Sequence, residues 1–290
     1  MDNYRIFSDA TCDLNSGLMQ DLPEIVIIPM PVTVGGTDYL YGDGGNLEVN
    51  DFYKMLSSGE FASTAAINPD TYTRYFEPCL IAGMDIIYLC FSSGMSSTLQ
   101  NAMISAGDLR EKYPERTITV IDTLCAAPGE GILVMEAAKK QAEGMSYRNL
   151  TEWLCDNRLR VCHWFTVDRF DHLLHGGRVT AAEAFAGSVL NIKPMLHVDA
   201  DGKLSVMAKP RGYKQSIRMQ IEYIKQGWQP QISKRVLIGH GDCIDRANLL
   251  RDEIAEHLPE ADVSIVDIGP VIGAHTGPGM LALLYWGSNR

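Results

Sequence analysis

The sequence predicts an α/β fold with two α/β domains: an N-terminal domain with a largely parallel sheet flanked by helices, and a C-terminal α/β domain. Apolar runs of strand length alternate several times with helical segments, an order typical of parallel sheets covered by helices. The chain has 290 residues, which is long for one core and sufficient for two. Because the alternation starts again near residue 160, we predict domains at residues 1–160 and 161–290.

In the N-terminal half, the clearest strands are continuous apolar runs, as expected for strands covered on both faces. The most regular run, residues 85–91, is followed by a helix over about residues 98–112. Pro69 is expected in the first turn of another helix, where its missing N–H costs nothing. The other predicted strands are residues 4–7, 24–28, 31–34 and 117–122, and the other predicted helices are residues 50–57, 132–143 and 146–158.

The C-terminal half repeats this alternation with one hairpin added. Asp201 and Gly202 are predicted to form a type I′ turn that joins two short strands. Gly176 and Gly177 are predicted to end a short helix that begins near Asp171. The predicted strands are residues 161–166, 192–198, 203–207, 235–240, 263–266 and 281–286, and the longer predicted helices are residues 215–225 and 244–257.

Composition and charge exclude several classes of protein. The chain carries 25 Lys and Arg against 36 Asp and Glu, a net charge of -11, which argues against nucleic acid or an anionic membrane surface as its main partner. Its apolar runs are too short to span a bilayer, and its first residues lack the pattern of a signal peptide. The 7 cysteines are scattered through apolar segments, as in reduced proteins. We therefore expect a cytoplasmic protein without stable membrane insertion.

The most informative segment is residues 267–279, where glycines and prolines surround His275 and Thr276. It follows a predicted strand, and α/β proteins bind ligands at the carboxyl ends of strands. Glycine also allows a ligand to approach the backbone closely. Both side chains can hydrogen-bond an anion. The alternative interpretation is a tight turn with a capping threonine.

Residues 92–98, Ser-Ser-Gly-Met-Ser-Ser-Thr, form a second candidate site between a buried strand and a helix. Hydroxyl groups and backbone N–H groups at a helix N-terminus favour phosphate or carboxylate. Helix capping alone would need one serine, so the excess of hydroxyls favours an anion site. Asp9 and Thr11 follow the first strand and either cap a helix or face a cleft.

Common catalytic motifs are absent from the sequence. It contains no GxxxxGK[ST], GxSxG or HExxH motif, and no GxGxxG follows the first strand. His172 and His175 have the spacing of a metal pair, but no cysteine or acidic pair nearby completes a site, so we predict no metal. An anion-binding cleft without catalytic motifs indicates a carrier.

Taken together, these segments resemble the DegV family of bacterial fatty-acid-binding proteins, which includes the carrier subunit of fatty acid kinase. Residues 9–14 resemble the family's DSTCDL segment, and residues 92–98 resemble its SSGLSGT loop. The most specific similarity is residues 268–279, Ile-Gly-Pro-Val-Ile-Gly-Ala-His-Thr-Gly-Pro-Gly. The resemblance extends over nearly the whole chain and continues, in order, through residues 120–123, 176–179 and 192–196.

The resemblance implies a fatty acid bound between the two domains, with its carboxylate held by Thr64, Ser93 and His275 and its tail in an apolar tunnel. It implies no catalytic residue, no metal and no cofactor other than this ligand. A separate ATP-using kinase would phosphorylate the carboxylate to an acyl phosphate. The implied ligand-binding residues are Thr64, Ser93, Gly94, Ser97, His275 and Thr276; Arg178 and Arg211 are implied contacts of the head group or the kinase; Phe185, Ala186, Val189 and Ile272 are candidate tunnel residues.

The sequence departs from the family pattern near the implied head group. Ala65 and Ala66 stand where the family usually has Gln-Pro, which removes the amide's two donors and its acceptor. Ala10 replaces a serine, and Ser97 replaces a glycine. Two other functions therefore stay open beside the carrier: an acyl-transfer enzyme or hydrolase using Ser93 or Ser96 with His275, and a lipid-sensing regulatory module.

Overall fold

The computed structural model describes residues 3–180, 191–288 and 290. The strands are β1 Tyr4–Asp9, β2 Ile25–Ile28, β3 Met30–Val34, β4 Thr37–Tyr41, β5 Ala62–Thr64, β6 Asp85–Cys90, β7 Ile118–Asp122, β8 Val161–Thr166, β9 Met195–Val198, β10 Leu204–Ala208, β11 Arg235–His240, β12 Asp262–Asp267 and β13 Leu281–Trp286. The helices are α1 Ser16–Met19, α2 Val49–Ser57, α3 Pro69–Ile81, α4 Thr98–Lys112, α5 Ala127–Ala142, α6 Tyr147–Asn157, α7 Asp171–His175, α8 Gly212–Gly227, α9 Ile244–His257 and α10 Pro270–Thr276.

The N-terminal half contains a parallel sheet in the order β2-β1-β6-β7. Its central strand β6 is buried over five of its six residues, which explains its continuous apolar sequence. A second, antiparallel sheet has the order β4-β3-β5, and the sequence predicted only β3 of these strands. Strand β4 is largely exposed and β5 has three residues, so neither carries a buried apolar pattern.

The C-terminal half contains a six-stranded sheet in the order β10-β9-β8-β13-β11-β12, in which only β11 and β12 pair in parallel. The predicted α/β class is therefore confirmed, and the predicted hairpin is present as β9–β10. The predicted type I′ turn is wrong because Gly202 has φ +72 but Asp201 is not in the left-handed region. Asp199 pairs with Lys203, which leaves a three-residue loop ending in a left-handed glycine.

Helix α5 packs against both large sheets, contacting β1 of the parallel sheet and β8, β11 and β13 of the other. It begins at Ala127, five residues before the predicted start, because its first turns are rich in glycine and proline, which predict a turn. A Cβ at Gly131 would lie 2.6 Å from the Cys12 carbonyl oxygen, so glycine permits the close packing. One hydrophobic cluster contains residues from both halves, and the division at residue 160 stays a proposal.

Residues 270–276 form a helix, α10, where the sequence suggested a rigid turn. Pro270 occupies the first turn, where proline is favourable, and Gly277 ends the helix with φ +71. Burial of Val271, Ile272 and Ala274 outweighs the low helix propensity of the segment. Helix α10 packs against α2, β3 and β5, so the C-terminal half reaches deep into the N-terminal half.

Among the described residues, no helix has both the length and the apolarity needed to cross a bilayer. The 7 cysteines all lie in this part of the chain, and none forms a disulfide. Five of them are buried, as expected for small apolar side chains, whereas Cys155 is exposed and Cys243 is partly buried.

Candidate ligand-binding site

A cavity of about 230 Å³ lies between the two halves of the chain. One wall is the six-stranded sheet, which contributes Phe165, Leu204, Ala282 and Leu284. The cavity volume exceeds the 150 Å³ of an engineered apolar cavity that binds benzene, so a ligand with more than six carbons can enter. The cavity is mainly apolar, and its polar groups come from loops, helix ends and the strands β5 and β8.

Thr64 and His275 meet at this cavity. Thr64 ends β5 and His275 lies in the last turn of α10, which packs on β5, so the hydroxyl oxygen comes within 2.8 Å of His275 Nε2. The other ring nitrogen, Nδ1, is buried and has no hydrogen-bond partner among the described residues. The ring packs against Gly176, where any Cβ would overlap Nδ1. This contact explains why glycine stands at position 176, whose φ is ordinary.

Arg178 supplies a positive charge to the cavity lining. Its guanidinium donates to the carbonyl oxygens of Met95, at 3.1 Å, and Gly176. Among the described residues no carboxylate forms an ion pair with it, and partial burial lowers its pKa from the ordinary value. An arginine with neutral partners at an apolar cavity is arranged to receive an anion.

The charge of His275 follows from these surroundings. Burial, and then electrostatic interaction with Arg178 and His175, lower the pKa of His275 from 6.5 to about 4. The imidazole is therefore neutral at neutral pH and acts as a hydrogen-bonding group. Arg178 is left as the counter-charge for an anionic ligand.

The depressed pKa predicts that His275 makes the fold sensitive to acid. The unfolded chain protonates this imidazole below about pH 6.5 and the folded chain only near pH 4, so stability present at neutral pH is lost as pH falls between these values. The loss should be roughly 3 kcal/mol. In urea unfolding from pH 7 to pH 4, the stability of wild type should fall relative to His275→Gln by this amount. In the control His257→Gln, at an exposed site, the free energy of unfolding should change with pH as it does in wild type. If the free energy of unfolding of His275→Gln also changed as in wild type, the lowered pKa of His275 would be contradicted.

The serine-rich loop divides between two roles. Ser96 and Ser97 line the cavity, and Ser96 Oγ hydrogen-bonds Thr98 Oγ1 at 2.8 Å. Ser93 lies outside the cavity lining, where its hydroxyl donates to Asp122 Oδ2 at 2.5 Å. Gly94 also lies outside it, and a Cβ there would come within 2.6 Å of the Asp201 carbonyl oxygen. Residues 92–94 thus pack against the β9–β10 hairpin, and residues 95–97 line the cavity.

The remaining sequence candidates are also divided. Thr276 lines the cavity, but its hydroxyl donates to the Ile272 carbonyl oxygen at 3.1 Å within α10. Arg211 precedes α8 on the exposed surface and is outside the lining. Of the candidate tunnel residues, Ile272 lines the cavity; Phe185, Ala186 and Val189 lie outside the described residues. Ala65 and Ala66, where the sequence departs from the family pattern, are both in the lining.

Sequence reasoning missed most of the apolar wall. Ala282 and Leu284 project from β13 with the two-residue period of a strand face, and Met280 lies just before the strand. Three consecutive residues of β8 also line the cavity: His163, Trp164 and Phe165. Because both strands are buried throughout, their sequences show no alternation of polarity that would mark the cavity face.

The geometry gives no support to a serine–histidine enzyme or a metal site in the described part of the chain. Neither Ser93 nor Ser96 hydrogen-bonds His275, whose Nε2 is engaged by Thr64. His172 and His175 both pack against the Phe61 ring, with centroids 4.9 and 4.8 Å away. Over residues 3–180 and 191–288, no group of three or more His, Cys, Asp or Glu side chains is placed to hold a metal ion.

Comparison with known proteins identifies the family. The profile described as "Uncharacterised protein, DegV family" matches residues 3–287. A DegV domain-containing protein of Clostridium perfringens is 36% identical over 290 residues, which cover 100% of this chain and 99% of the relative.

Solved structures agree with this assignment. A fatty-acid-binding DegV family protein from Thermus thermophilus is 26% identical, with a TM-score of 0.85 over 98% of this chain and 99% of the other. The fatty acid kinase (Fak) B3 protein of Streptococcus pneumoniae, solved loaded with linoleic acid, has the same fold, with a TM-score of 0.85, 22% identity and coverage of 98% and 99%. The resemblance seen in the sequence motifs is thus confirmed, and the chain belongs to the DegV family.

Proposed function

We propose that this protein is a carrier that binds a long-chain fatty acid without reacting with it. The observation that carries the proposal is Arg178, a cation without a carboxylate partner among the described residues, at one cavity with the neutral Thr64–His275 pair and an apolar wall. The relative from Thermus thermophilus, at 26% identity over nearly the whole chain, supports a fatty acid as the ligand.

In this proposal the fatty acid carboxylate lies at the polar corner of the cavity. Arg178 supplies charge and hydrogen bonds, and Thr64, His275 and Ser96 supply neutral hydrogen-bonding groups. Charge-assisted hydrogen bonds are about twice as strong as neutral ones, so Arg178 should dominate head-group recognition. We assign the ligand contact from this loop to the Ser96 hydroxyl, which lines the cavity, because the Ser93 hydroxyl donates to Asp122.

The apolar wall would hold the acyl chain and supply most of the affinity. Each buried methylene contributes about 0.8 kcal/mol, so roughly ten of them contribute about 8 kcal/mol before association costs. The head group then orients the chain and adds specificity. Because the protein has a net charge of -11, the carboxylate depends on these local donors.

We further propose that a separate kinase acts on the bound fatty acid, and that the chain works in the cytoplasm, where ATP is available. A carboxylate oxygen would attack the γ-phosphorus of ATP, the bond to the β-phosphate oxygen would break, and ADP and an acyl phosphate would form. The sequence contains no GxxxxGK[ST] motif, which is consistent with a second subunit that binds the ATP. The shared fold with the fatty acid kinase (Fak) B3 protein is the reason for considering this partner.

Reconstitution tests both halves of the proposal. The purified chain loaded with palmitic acid, mixed with ATP and the ATP-using subunit of a fatty acid kinase, should yield palmitoyl phosphate, which hydroxylamine traps as a hydroxamate. Ser96→Ala should reduce palmitic acid binding and trapping, whereas the matched variant Ser93→Ala should retain both. Hydrolysis of an activated acyl ester by the protein alone would contradict the proposal that it is a carrier. If palmitic acid binds but no hydroxamate forms, only the proposal of a partner kinase would be contradicted.

A further inference from the structure

A buried hydroxyl behind the cavity lies between two carboxyl groups. Thr11 lines the cavity, and its Oγ1 contacts both Asp9 Oδ1 and, at 2.8 Å, Glu130 Oε2. All three residues are buried, with Glu130 brought in by the first turns of α5. A threonine hydroxyl has one hydrogen and can donate to only one acceptor at a time.

The same difficulty recurs one residue away from Asp9. Ser8 Oγ lies 3.0 Å from the Leu89 carbonyl oxygen and 3.1 Å from Glu130 Oε1. A carbonyl oxygen only accepts, so once the serine hydrogen points to Leu89 none is left for Glu130. With both carboxyl groups ionised, Thr11 Oγ1 would face one carboxylate oxygen with no hydrogen between them, and Ser8 Oγ would face either Leu89 or Glu130 in the same way. A proton on one carboxyl group removes the conflict at Thr11, where both neighbours are carboxyl oxygens.

The other contacts decide which carboxyl group holds this proton. Asp9 receives the backbone N–H of Thr11 at 3.1 Å, that of Phe91 at 3.4 Å and the Tyr88 hydroxyl at 2.6 Å. Three such donors stabilise a carboxylate. Within the described residues, Glu130 has only the Ser8 and Thr11 hydroxyls as partners, and neither acid forms an ion pair with lysine or arginine. Asp9 is thus the carboxylate and Glu130 the neutral acid.

We propose that Glu130 is a positioning residue that stays protonated in the folded protein, donating its proton to the Thr11 hydroxyl, which in turn donates to the Asp9 carboxylate. The chain of donors continues to Tyr88, whose hydroxyl lies 2.9 Å from that of Tyr72. In this arrangement the Thr11 hydroxyl is turned away from any ligand. One negative charge, not two, then lies behind this part of the cavity wall.

The surroundings favour the neutral acid. Burial, and then the negative charge of Asp9, raise the pKa of Glu130 well above its ordinary value. The described part of the chain offers no cation to oppose this, since the titratable groups that face Glu130 are acids, phenols and thiols. They are Asp9, Cys12, Asp13, Tyr72, Cys90 and Cys125.

A proton retained on folding gives a defined pH dependence. The unfolded chain releases this proton above about pH 4.3, whereas the folded chain keeps it to a higher pH. The stability that Glu130 contributes is therefore complete below that value and is lost as pH rises towards the folded pKa. For one proton the unfolding equilibrium constant rises about tenfold for each pH unit in this window.

Glu130→Gln isolates this effect, because an amide resembles the neutral acid in shape and can still donate to Thr11. We expect the ratio of the wild-type unfolding constant to that of Glu130→Gln to rise about tenfold for each pH unit above pH 5 in urea unfolding. The control Glu143→Gln, at the exposed end of the same helix, should keep the wild-type pH dependence. If the unfolding constants of Glu130→Gln and wild type kept the same ratio from pH 5 to pH 9, the proposal would be overturned.

Infrared spectroscopy gives a second test that does not depend on unfolding. At pH 7 the spectrum of folded wild-type protein minus that of Glu130→Gln should contain the C=O stretch of one protonated carboxyl group; Asp13, whose pKa is also raised by burial, contributes equally to both spectra and cancels. Asp9→Asn should retain that band if it folds, and it should be less stable than Glu130→Gln, because an amide NH₂ opposes the donors that surround Asp9. Persistence of the band in Glu130→Gln together with its loss in Asp9→Asn would assign the proton to Asp9 instead.

Discussion

Replacing Arg178 by methionine is expected to weaken palmitic acid binding by about 10- to 150-fold, the equivalent of about 1.5–3 kcal/mol for hydrogen bonds to a charged group. Methionine keeps an apolar stem of similar reach but removes the cation, so the carboxylate would enter a half-buried corner without a counter-charge. Because the guanidinium has no carboxylate partner among the described residues, its loss leaves no acid unpaired there. Isothermal titration at pH 7.5 measures the change in affinity.

Arg211→Met is the matched control for this variant. Arg211 lies outside the cavity lining, so its replacement should leave palmitic acid affinity within about twofold of wild type. Arg178→Lys should fall between the two, because lysine keeps the charge but not the planar pair of donors. Wild-type affinity in Arg178→Met, or an equal loss in Arg211→Met, would remove Arg178 from the head-group site.

Enlarging Ala282 to leucine is expected to shorten the acyl chain that the protein prefers. Ala282 is a buried cavity residue of β13, and leucine places three more carbons in the space assigned to the acyl chain. Displacing about three methylenes from this space costs roughly 2.4 kcal/mol, on the order of 50-fold in affinity for palmitic acid. Shorter saturated fatty acids should lose less, so a chain-length series measured by calorimetry should show its optimum move to shorter acids.

The control for this steric effect is Ala247→Leu in α9. Ala247 is also fully buried, but it lies outside the cavity lining, in a hydrophobic cluster different from that of Ala282. Both variants should lose about 1–3 kcal/mol of stability from overpacking, whereas only Ala282→Leu should change the chain-length optimum. An unchanged optimum in Ala282→Leu would show that the acyl chain does not run along β13.

The fold was predictable where local sequence and tertiary structure agree. The apolar run of β6, and the helical segment predicted after it over about residues 98–112, matched both elements nearly to the residue. Prediction failed at α10 and at the first turns of α5, where glycine and proline favour a turn. At both places a helix forms because it is buried between other elements, a tertiary effect that a local pattern does not contain.

The candidate site was only partly predictable for a related reason. Glycine-rich and serine-rich loops mark the polar corner, because such residues are unusual at strand ends without a ligand or a cap. The sequence did not distinguish Ser93 from Ser96, since their roles depend on whether Asp122 or the cavity lies opposite each hydroxyl. Glu130 gave no signal, because it fell in a predicted Pro/Gly turn where an acid normally faces solvent, and it is buried because α5 begins at Ala127 and packs against β1.

The most direct test of the carrier is mass spectrometry of lipid extracted from the purified protein under denaturing conditions. We expect close to one bound fatty acid per protein molecule. Added palmitic acid, or a near homologue, should displace this fatty acid in native mass spectra. Arg178→Met should yield less lipid than Arg211→Met when both are prepared in parallel. A protein that is empty when purified, and that takes up no member of a saturated and unsaturated fatty acid series, would contradict the proposed function.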